Sequence, residues 1–315
     1  MSKTQYWLAP DERLKMLLLG AGTKGGGGKS LGLANIYTWY GYKFNLLPRA
    51  WDCDRMESLA NTIGAQSIFH LGAGGIPLQN VLGEVLQDER HSVFMMDTPA
   101  SSEDQVRETF RKIDVEALYL HGVHIVLVAS ITHEEETRSK LLPWMEILDG
   151  FSSNLFVRNW VTEAEPKSFP RSPRGDDLLI EQRHYMPPEL LSFMRERGQP
   201  LHSALFPYLR SFRRPFMEAK RRGSKTALLE WNAIRDRAWE DYPINMQNES
   251  NFMGSAMVLD QFYDQLDKVA DHLLPAEFQG RPVGTFALPE MRRPNANGGL
   301  DGRIAVLDRL ESRVA

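Results

Sequence analysis

Short apolar runs recur along the first two-thirds of the chain, and segments with helical periodicity separate them. Continuous rather than alternating apolar runs are typical of parallel strands that are buried on both faces of a sheet. The runs that predict strands are residues 16–19, 44–54, 67–71, 93–97, 124–129, 154–161 and 178–180. Strands that alternate with helices predict an α/β fold: a doubly wound, mainly parallel sheet with helices on both faces.

The segments between these runs place apolar residues at the spacing of amphipathic helices. Helices are predicted over residues 30–40, 77–89, 105–120, 133–148, 189–197, 231–242 and 257–274. Gly41 is expected to end the first of them, because glycine commonly follows the last helical residue. Pro48 indicates that the second strand either lies at an edge of the sheet or starts late.

A glycine-rich stretch with two lysines joins the first predicted strand to the first predicted helix. It consists of Lys24, Gly25, Gly26, Gly27, Gly28, Lys29 and Ser30. Glycines allow successive backbone N–H groups to turn around a phosphate, and the start of a helix adds partial positive charge. Lys29 is expected to reach the β- and γ-phosphates, and the Ser30 hydroxyl to ligate Mg²⁺. The alternative is a surface turn with two solvated lysines, but the order of strand, glycines, lysine, serine and helix favours phosphate binding.

The loop departs from the strict Walker A pattern at Thr23, which stands where the first glycine is required, and Lys24 precedes the glycines. This form resembles the deviant Walker A loop of the ParA/MinD family of P-loop ATPases. The resemblance covers about residues 14–205, and it predicts an ATPase domain over residues 1–205. It implies a homodimer in the ATP-bound state, in which Lys24 of each subunit reaches the nucleotide of the other.

Two strand ends supply carboxylates near this loop. Asp97 ends an apolar strand and begins a D-T-P sequence that resembles switch II of the family, which implies that Asp97 holds Mg²⁺ through a water molecule. Asp54 ends a D-x-D sequence that resembles switch I, which implies that it lies near Mg²⁺ and orients the attacking water. Without the resemblance, both would be interpreted as ordinary turn or cap carboxylates.

The resemblance extends to residues near the base of the nucleotide. The family often has an asparagine at the end of a later strand that hydrogen-bonds adenine, and Asn159 matches it. Met186 and Pro187 match a loop near the base, with Met186 in place of the usual isoleucine. With ATP and Mg²⁺ as the implied ligands, Lys24, Lys29 and Asp54 are the catalytic candidates. The candidate nucleotide contacts are Lys24, Gly25, Gly26, Gly27, Gly28, Lys29, Ser30, Leu31, Asn159, Met186 and Pro187, and the candidate metal ligands are Ser30, Asp54 and Asp97.

Composition restricts the class of protein. The net charge of −4 means that any nucleic-acid binding must come from a local patch. Cys53 is the one cysteine, so no intramolecular disulfide or paired-cysteine metal site forms, and a reducing cytoplasm is expected. No apolar run approaches the roughly 20 residues of a membrane span, and no secretory signal is visible at the start of the sequence.

Residues 206–315 are predicted to form an α-helical extension with a basic segment and an irregular tail. The lysines and arginines of the basic segment are Arg210, Arg213, Arg214, Lys220, Arg221, Arg222 and Lys225. ParA-type proteins bind DNA non-specifically when ATP-bound, so this segment is a candidate DNA-binding surface; the alternative is a solvated helix face. The apolar stripe along residues 257–274 is expected to pack on the ATPase domain or to form an interface. A short helix over residues 300–314 carries mixed charge, which favours docking to a partner over membrane attachment.

The sequence therefore predicts an ATP-dependent dimerising switch that partitions a plasmid or chromosome, or positions another cargo on the nucleoid, through non-specific DNA binding. A protein that binds a centromere or a cargo would act as its activator. The alternative is an accessory ATPase that binds protein partners in conjugation, secretion or envelope assembly. A metabolic P-loop ligase is a third, weaker hypothesis, which Lys24 disfavours.

Overall fold

The computed structural model describes residues 7–21, 28–44, 46–54, 58–63, 65–67, 78–99, 102–160, 164–168, 177–183, 249–280 and 312. Its strands are β1 (Lys15–Ala21), β2 (Arg49–Asp52), β3 (Gln66–Ser67), β4 (Val93–Asp97), β5 (Val123–Ile131), β6 (Ser152–Trp160) and β7 (Leu178–Arg183). Its α-helices are α1 (Lys29–Phe44), α2 (Ser58–Ile63), α3 (Leu78–Gln87), α4 (Glu103–Lys112), α5 (Val115–Leu120), α6 (Glu135–Ser139), α7 (Leu141–Leu148), α8 (Glu249–Lys268) and α9 (Ala270–Leu273). Among the described residues, 3₁₀ turns span Pro10–Glu12 and Ala276–Phe278.

The described strands form a seven-stranded sheet in the order β3-β2-β4-β1-β5-β6-β7. Every strand pairing in it is parallel. From β1 the chain winds to one side through β2 and β3, returns with β4, and crosses β1 to build the other side. Parallel strands bring all their carboxyl ends to one edge, and ligands of such sheets bind where the winding changes direction. Here that position is the carboxyl end of β1, between β4 and β5.

Helices cover both faces of the sheet, because successive residues of each buried strand point to opposite sides. On β1, Met16 and Leu18 pack in the core beneath α1, α2, α8 and α9, whereas Leu17 and Leu19 pack beneath α3, α4, α5 and α7. All four of these side chains are fully buried. The predicted doubly wound α/β architecture is therefore confirmed, and its sheet is parallel throughout the described residues.

Helix α8 belongs to the same core as α1. Its apolar residues Leu259, Phe262 and Leu266 are buried, as the stripe over residues 257–274 predicted. A hydrogen bond also joins the two helices, since the hydroxyls of Thr38 and Tyr263 lie 2.8 Å apart. The predicted boundary after residue 205 falls within residues 184–248, outside the described part of the chain, so the division into domain and extension stays a prediction.

Four predicted helices have wrong boundaries. The helix over residues 257–274 begins at Glu249 instead and is divided at Val269 into α8 and α9. Gly41 does not end α1, which continues to Phe44 because the Phe44 ring packs between Trp39 and Phe278. The helix over residues 105–120 is two helices, since the Asp114 carboxylate accepts hydrogen bonds from the first N–H groups of α5. The helix over residues 133–148 is also divided; Pro143 lies in the first turn of α7, where its missing N–H is tolerated.

A buried histidine at the amino-terminal end of β5 makes the stability of the protein depend on pH. His124 lies at the start of β5, with its Nε2 2.9 Å from the Ser153 hydroxyl and its ring 5.4 Å from that of Trp7. Burial holds the pKa of His124 well below its ordinary value of 6.5, and the nearby Arg13 and His272 lower it further. The folded protein therefore keeps His124 neutral at pH values at which the unfolded chain takes up a proton.

We expect the free energy of unfolding to fall as the pH drops below about 6.5, by up to about 1.4 kcal/mol per pH unit from this side chain. The measurement is urea denaturation at about pH 7.5 and about pH 5.5. His124→Gln retains hydrogen-bonding capacity without titrating and should show a shallower dependence on pH. His121→Gln, at an exposed position, is the matched control and should behave like the wild type. An unchanged slope in His124→Gln would contradict the assignment.

Candidate nucleotide-binding site

The start of α1 lies at the carboxyl end of β1, the central strand. Gly28 has φ 78°, a left-handed conformation that glycine adopts without strain, and its carbonyl accepts the first described hydrogen bond of the helix from Gly32 at 2.9 Å. The first N–H groups of a helix have no partners within it, so they attract anions. Lys24, Gly25, Gly26 and Gly27 lie outside the described residues, whereas Gly28, Lys29, Ser30 and Leu31 stand at this helix start.

Strand register brings Asp97 to the same place. Gly20 of β1 pairs with Asp97 of β4, so the carboxylate lies beside the end of β1. The Ser30 hydroxyl donates to Asp97 Oδ2 at 2.6 Å. The Lys29 ammonium donates to Asp97 Oδ1 and to the carbonyl of Thr98. The Asp97 side chain is fully buried and that of Lys29 is 9% exposed, so this ion pair is largely shielded from water.

The two aspartates of the D-x-D sequence have different positions. Asp52 is fully buried, and its carboxylate accepts hydrogen bonds from the backbone N–H groups of Asp54, Leu59 and Ala60 at 2.7–2.9 Å. It thereby fixes the turn after β2 and the start of α2. Burial raises the pKa of Asp52, and the negative charge of Asp97 beside it raises that pKa further, against the effect of the N–H groups. Asp54 is partly exposed, and its Oδ2 lies 3.9 Å from the Lys29 ammonium.

These side chains suit a magnesium nucleotide. Mg²⁺ prefers oxygen ligands, keeps several waters, and is usually held by one or two carboxylates together with phosphate oxygens. Ser30 and Asp97 offer a hydroxyl and a carboxylate side by side. In the described part of the chain, no group of three or more histidine, cysteine or acidic side chains could hold a metal by itself. Ser30 and Asp97 would hold Mg²⁺ together with phosphate oxygens, whose charge the ion would neutralise.

Further polar side chains line the carboxyl ends of β5, β6 and β7 on the α1 side of the sheet. Asn159 is fully buried, and its Nδ2 donates to the Ser130 hydroxyl at 3.2 Å. Gln182 of β7 is the register partner of Asn159. Met186 and Pro187 lie outside the described residues, so their predicted place near the base stays a prediction.

The sequence did not single out Gln182, and it did not show that Asp52 caps α2. A glutamine after an apolar strand run carries no signal of its own, because only the register shows that it faces α1. For Asp52, the D-x-D sequence marked the position but did not distinguish a cap from a group that faces the ligand.

Other predicted functional features lie elsewhere or outside the described residues. The basic segment lies entirely within residues 184–248, and of the helix over residues 300–314 only position 312 is described. Cys53 is buried, and burial raises the pKa of its thiol far above the ordinary value, so it remains an uncharged core residue. No helix in the described part of the chain is both long enough and apolar enough to cross a membrane.

Comparison with known proteins gives matches among solved structures. No protein-family model and no curated protein sequence matches the chain. The chain is similar to the MinC:MinD cell division protein complex of Aquifex aeolicus, with 15% identity, a TM-score of 0.38, and coverage of 73% of this chain and 98% of that one. A MinD cell division protein of the same organism matches with 14% identity, a TM-score of 0.36, and coverage of 59% and 88%.

The signal recognition particle receptor FtsY of Elizabethkingia anophelis matches with 13% identity, a TM-score of 0.30, and coverage of 49% of this chain and 51% of that chain. The matched region thus spans about half of FtsY. Such identities and TM-scores carry no argument about activity. The structure itself shows a doubly wound, parallel α/β fold in which a lysine and a serine start the helix that follows the central strand, as they do in a P-loop. The loop sequence resembles that of the ParA/MinD family.

Proposed function

We propose that this protein is a Mg²⁺-dependent ATPase of the ParA/MinD type, which dimerises when it binds ATP and is reset by hydrolysis. The observation that carries the proposal is the contact of Lys29 and Ser30 with the same buried carboxylate, Asp97, at the start of α1. A cation, a hydroxyl and a carboxylate at a helix N-terminus are the groups that phosphoryl transfer to water requires, because the reaction depends mainly on positioning and charge neutralisation.

The residues have separate roles in this proposal. Lys29 and the N–H groups from Gly28 to Leu31 would bind the phosphates, with Gly25, Gly26 and Gly27 completing the loop. Ser30 and Asp97 would hold Mg²⁺. Asp54, which Asp52 positions through its backbone, would orient the attacking water. Lys24 would contact the nucleotide of the second subunit, so that loss of the γ-phosphate releases the dimer.

A lysine substitution tests the switch. Lys24→Ala should bind ATP as the wild type does but remain monomeric, because the contact across the dimer is lost. The measurement is light scattering after size-exclusion chromatography, with Mg²⁺ and a non-hydrolysable ATP analogue. Lys112→Ala, which changes an exposed lysine paired with Glu108 on α4, is the control and should still dimerise. Dimerisation of Lys24→Ala at the wild-type level would refute the role of Lys24 across the interface.

The cellular task depends on the C-terminal third. We propose that the ATP-bound dimer binds DNA non-specifically through Arg210, Arg213, Arg214, Lys220, Arg221, Arg222 and Lys225, in the cytoplasm on the nucleoid, and that a protein partner stimulates hydrolysis. Plasmid or chromosome partition, or positioning of another cargo, would follow. The second candidate, an accessory ATPase that binds only protein partners, uses the same site without DNA.

DNA binding separates these two tasks. With ATP and Mg²⁺, the protein should shift non-specific duplex DNA in a gel at low salt. The logarithm of the association constant should fall with the logarithm of the salt concentration, with a slope of up to about −6 if all seven basic side chains contact phosphates. Arg213→Glu with Arg214→Glu should weaken the shift, whereas Arg107→Glu on α4 should not. Absence of ATP-dependent binding at low salt would favour the accessory ATPase. Turnover that requires a small metabolite would favour a ligase.

A further inference from the structure

The α1 side of the sheet changes from apolar to polar at the carboxyl ends of three neighbouring strands. Val128, Val157 and Ile180, on β5, β6 and β7, pack in the core on this side. Two residues further along the same strands stand Ser130, Asn159 and Gln182. Alternation keeps each of them on the face of its apolar neighbour. Ser130, Asn159 and Gln182 thus form a polar row across the carboxyl ends of β5, β6 and β7, on the side of the sheet that α1 covers.

Gln182, the member of this row on β7, has a buried side-chain oxygen without a hydrogen-bond partner. The residue is 2% exposed, and its Oε1 is buried without a hydrogen bond. Buried acceptors are nearly always paired, because burial removes water without replacing its hydrogen bonds. An apolar residue of similar length would fill the same space without this cost. An unpaired amide oxygen at this place therefore points to a donor that a ligand supplies.

Gly32 has no side chain, and this leaves room for the amide of Gln182. A Cβ added to Gly32 would lie 3.2 Å from Gln182 Oε1, closer than an ordinary van der Waals contact. Gly32 lies in the first turn of α1, immediately beyond Lys29 and Ser30, which would bind the phosphates. On the other side, Gln182 pairs in register with Asn159, the candidate for the base. Gln182 thus lies between the phosphate end and the base end of the site.

We propose that Gln182 Oε1 accepts a hydrogen bond from the nucleoside part of the bound nucleotide, and that Gln182 is a specificity-determining residue. This inference rests on the proposed function. The nucleoside offers two kinds of donor, the ribose hydroxyls and the exocyclic amino group of the base. Either would pair the buried oxygen, and analogues that each lack one donor distinguish them.

The test uses the full-length protein and Gln182→Met, which keeps the length of the side chain and removes the acceptor. Affinities are measured by calorimetry for ATP, 2′-deoxy-ATP, 3′-deoxy-ATP and purine riboside triphosphate, which lacks the amino group. The analogue that lacks the donor bound by Gln182 should bind the wild type about tenfold more weakly than ATP does. Gln182→Met should bind ATP about tenfold more weakly than the wild type and should no longer distinguish ATP from that analogue.

Thermal unfolding without nucleotide gives a second readout. Gln182→Met should have a melting temperature equal to or above that of the wild type, since it removes an unpaired buried group. Gln265→Ala is the control: the Gln265 amide accepts from the Glu181 N–H at 2.7 Å and donates to the Glu181 carbonyl at 2.9 Å, on the side of β7 that faces away from β6. This variant removes the two hydrogen bonds to the backbone of β7, so it should lower the melting temperature while preserving the preference among analogues.

The outcomes separate the two proposals. Binding of ATP by the wild type with no analogue-specific change in Gln182→Met, or an equal loss for all four nucleotides, overturns the role of Gln182 alone. The same loss of discrimination in Gln265→Ala also overturns it, because general loosening of β7 would then explain the effect. Failure of the wild type to bind any nucleotide overturns the proposed function, and the role of Gln182 with it.

Discussion

Lys29→Ala is expected to lower ATP hydrolysis by about 10²–10³-fold and also to destabilise the nucleotide-free protein. The second effect arises because the Lys29 ammonium neutralises Asp97, whose side chain is fully buried. Removing one partner of a buried ion pair leaves an uncompensated charge and costs about 3–5 kcal/mol. Asp52 lies beside Asp97 on the neighbouring strand, which adds to the unbalanced negative charge. The measurements are steady-state phosphate release and urea denaturation.

A double variant separates catalysis from stability. Lys29→Ala with Asp97→Asn removes both charges, so it should recover most of the lost free energy of unfolding but none of the hydrolysis. Lys43→Ala is the matched control on the same helix, where the ion pair with Asp267 at 2.8 Å is partly exposed, and it should cost about 1 kcal/mol or less. If the single Lys29→Ala variant were as stable as the wild type, Lys29 would not neutralise Asp97 in the free protein.

Trp39→Ala is expected to lower the free energy of unfolding by about 3–5 kcal/mol. Trp39 is fully buried and lies edge-on to the rings of Tyr40 and Phe44, with centroid distances of 4.9 and 5.0 Å. Its Nε1 donates to Asp267 Oδ1 at 2.8 Å, so it also links α1 to α8. Loss of the ring opens a cavity between these helices.

Trp39→Phe retains most of the ring and loses the hydrogen bond, so it should cost about 1–2 kcal/mol. Urea denaturation without nucleotide measures both variants, and nucleotide binding well below the unfolding transition should be retained in both. Equal losses of stability in the two variants would show that the hydrogen bond, rather than ring packing, links the helices.

The positions of the strands could be predicted because each buried parallel strand carries its own signal, a short apolar run between polar turns. The strand predicted over residues 93–97 matches β4, and the late start indicated by Pro48 matches β2. Helix ends were less predictable. Gly41 is a typical helix-ending residue, but its local cost of about 1 kcal/mol is smaller than the gain from burying Phe44 in the core. That gain depends on Phe278, which is distant in sequence.

The sequence by itself determined the α/β class of this protein and the candidate phosphate-binding residues, since both depend on local patterns: apolar runs, and glycines before Lys29 and Ser30. Only the tertiary structure decided which polar groups meet. Strand register brings Asp97 to Ser30, assigns Asp52 to the helix cap rather than to the ligand, and places Gln182 against Gly32. Those contacts join residues that are far apart in sequence, so no local pattern carries them.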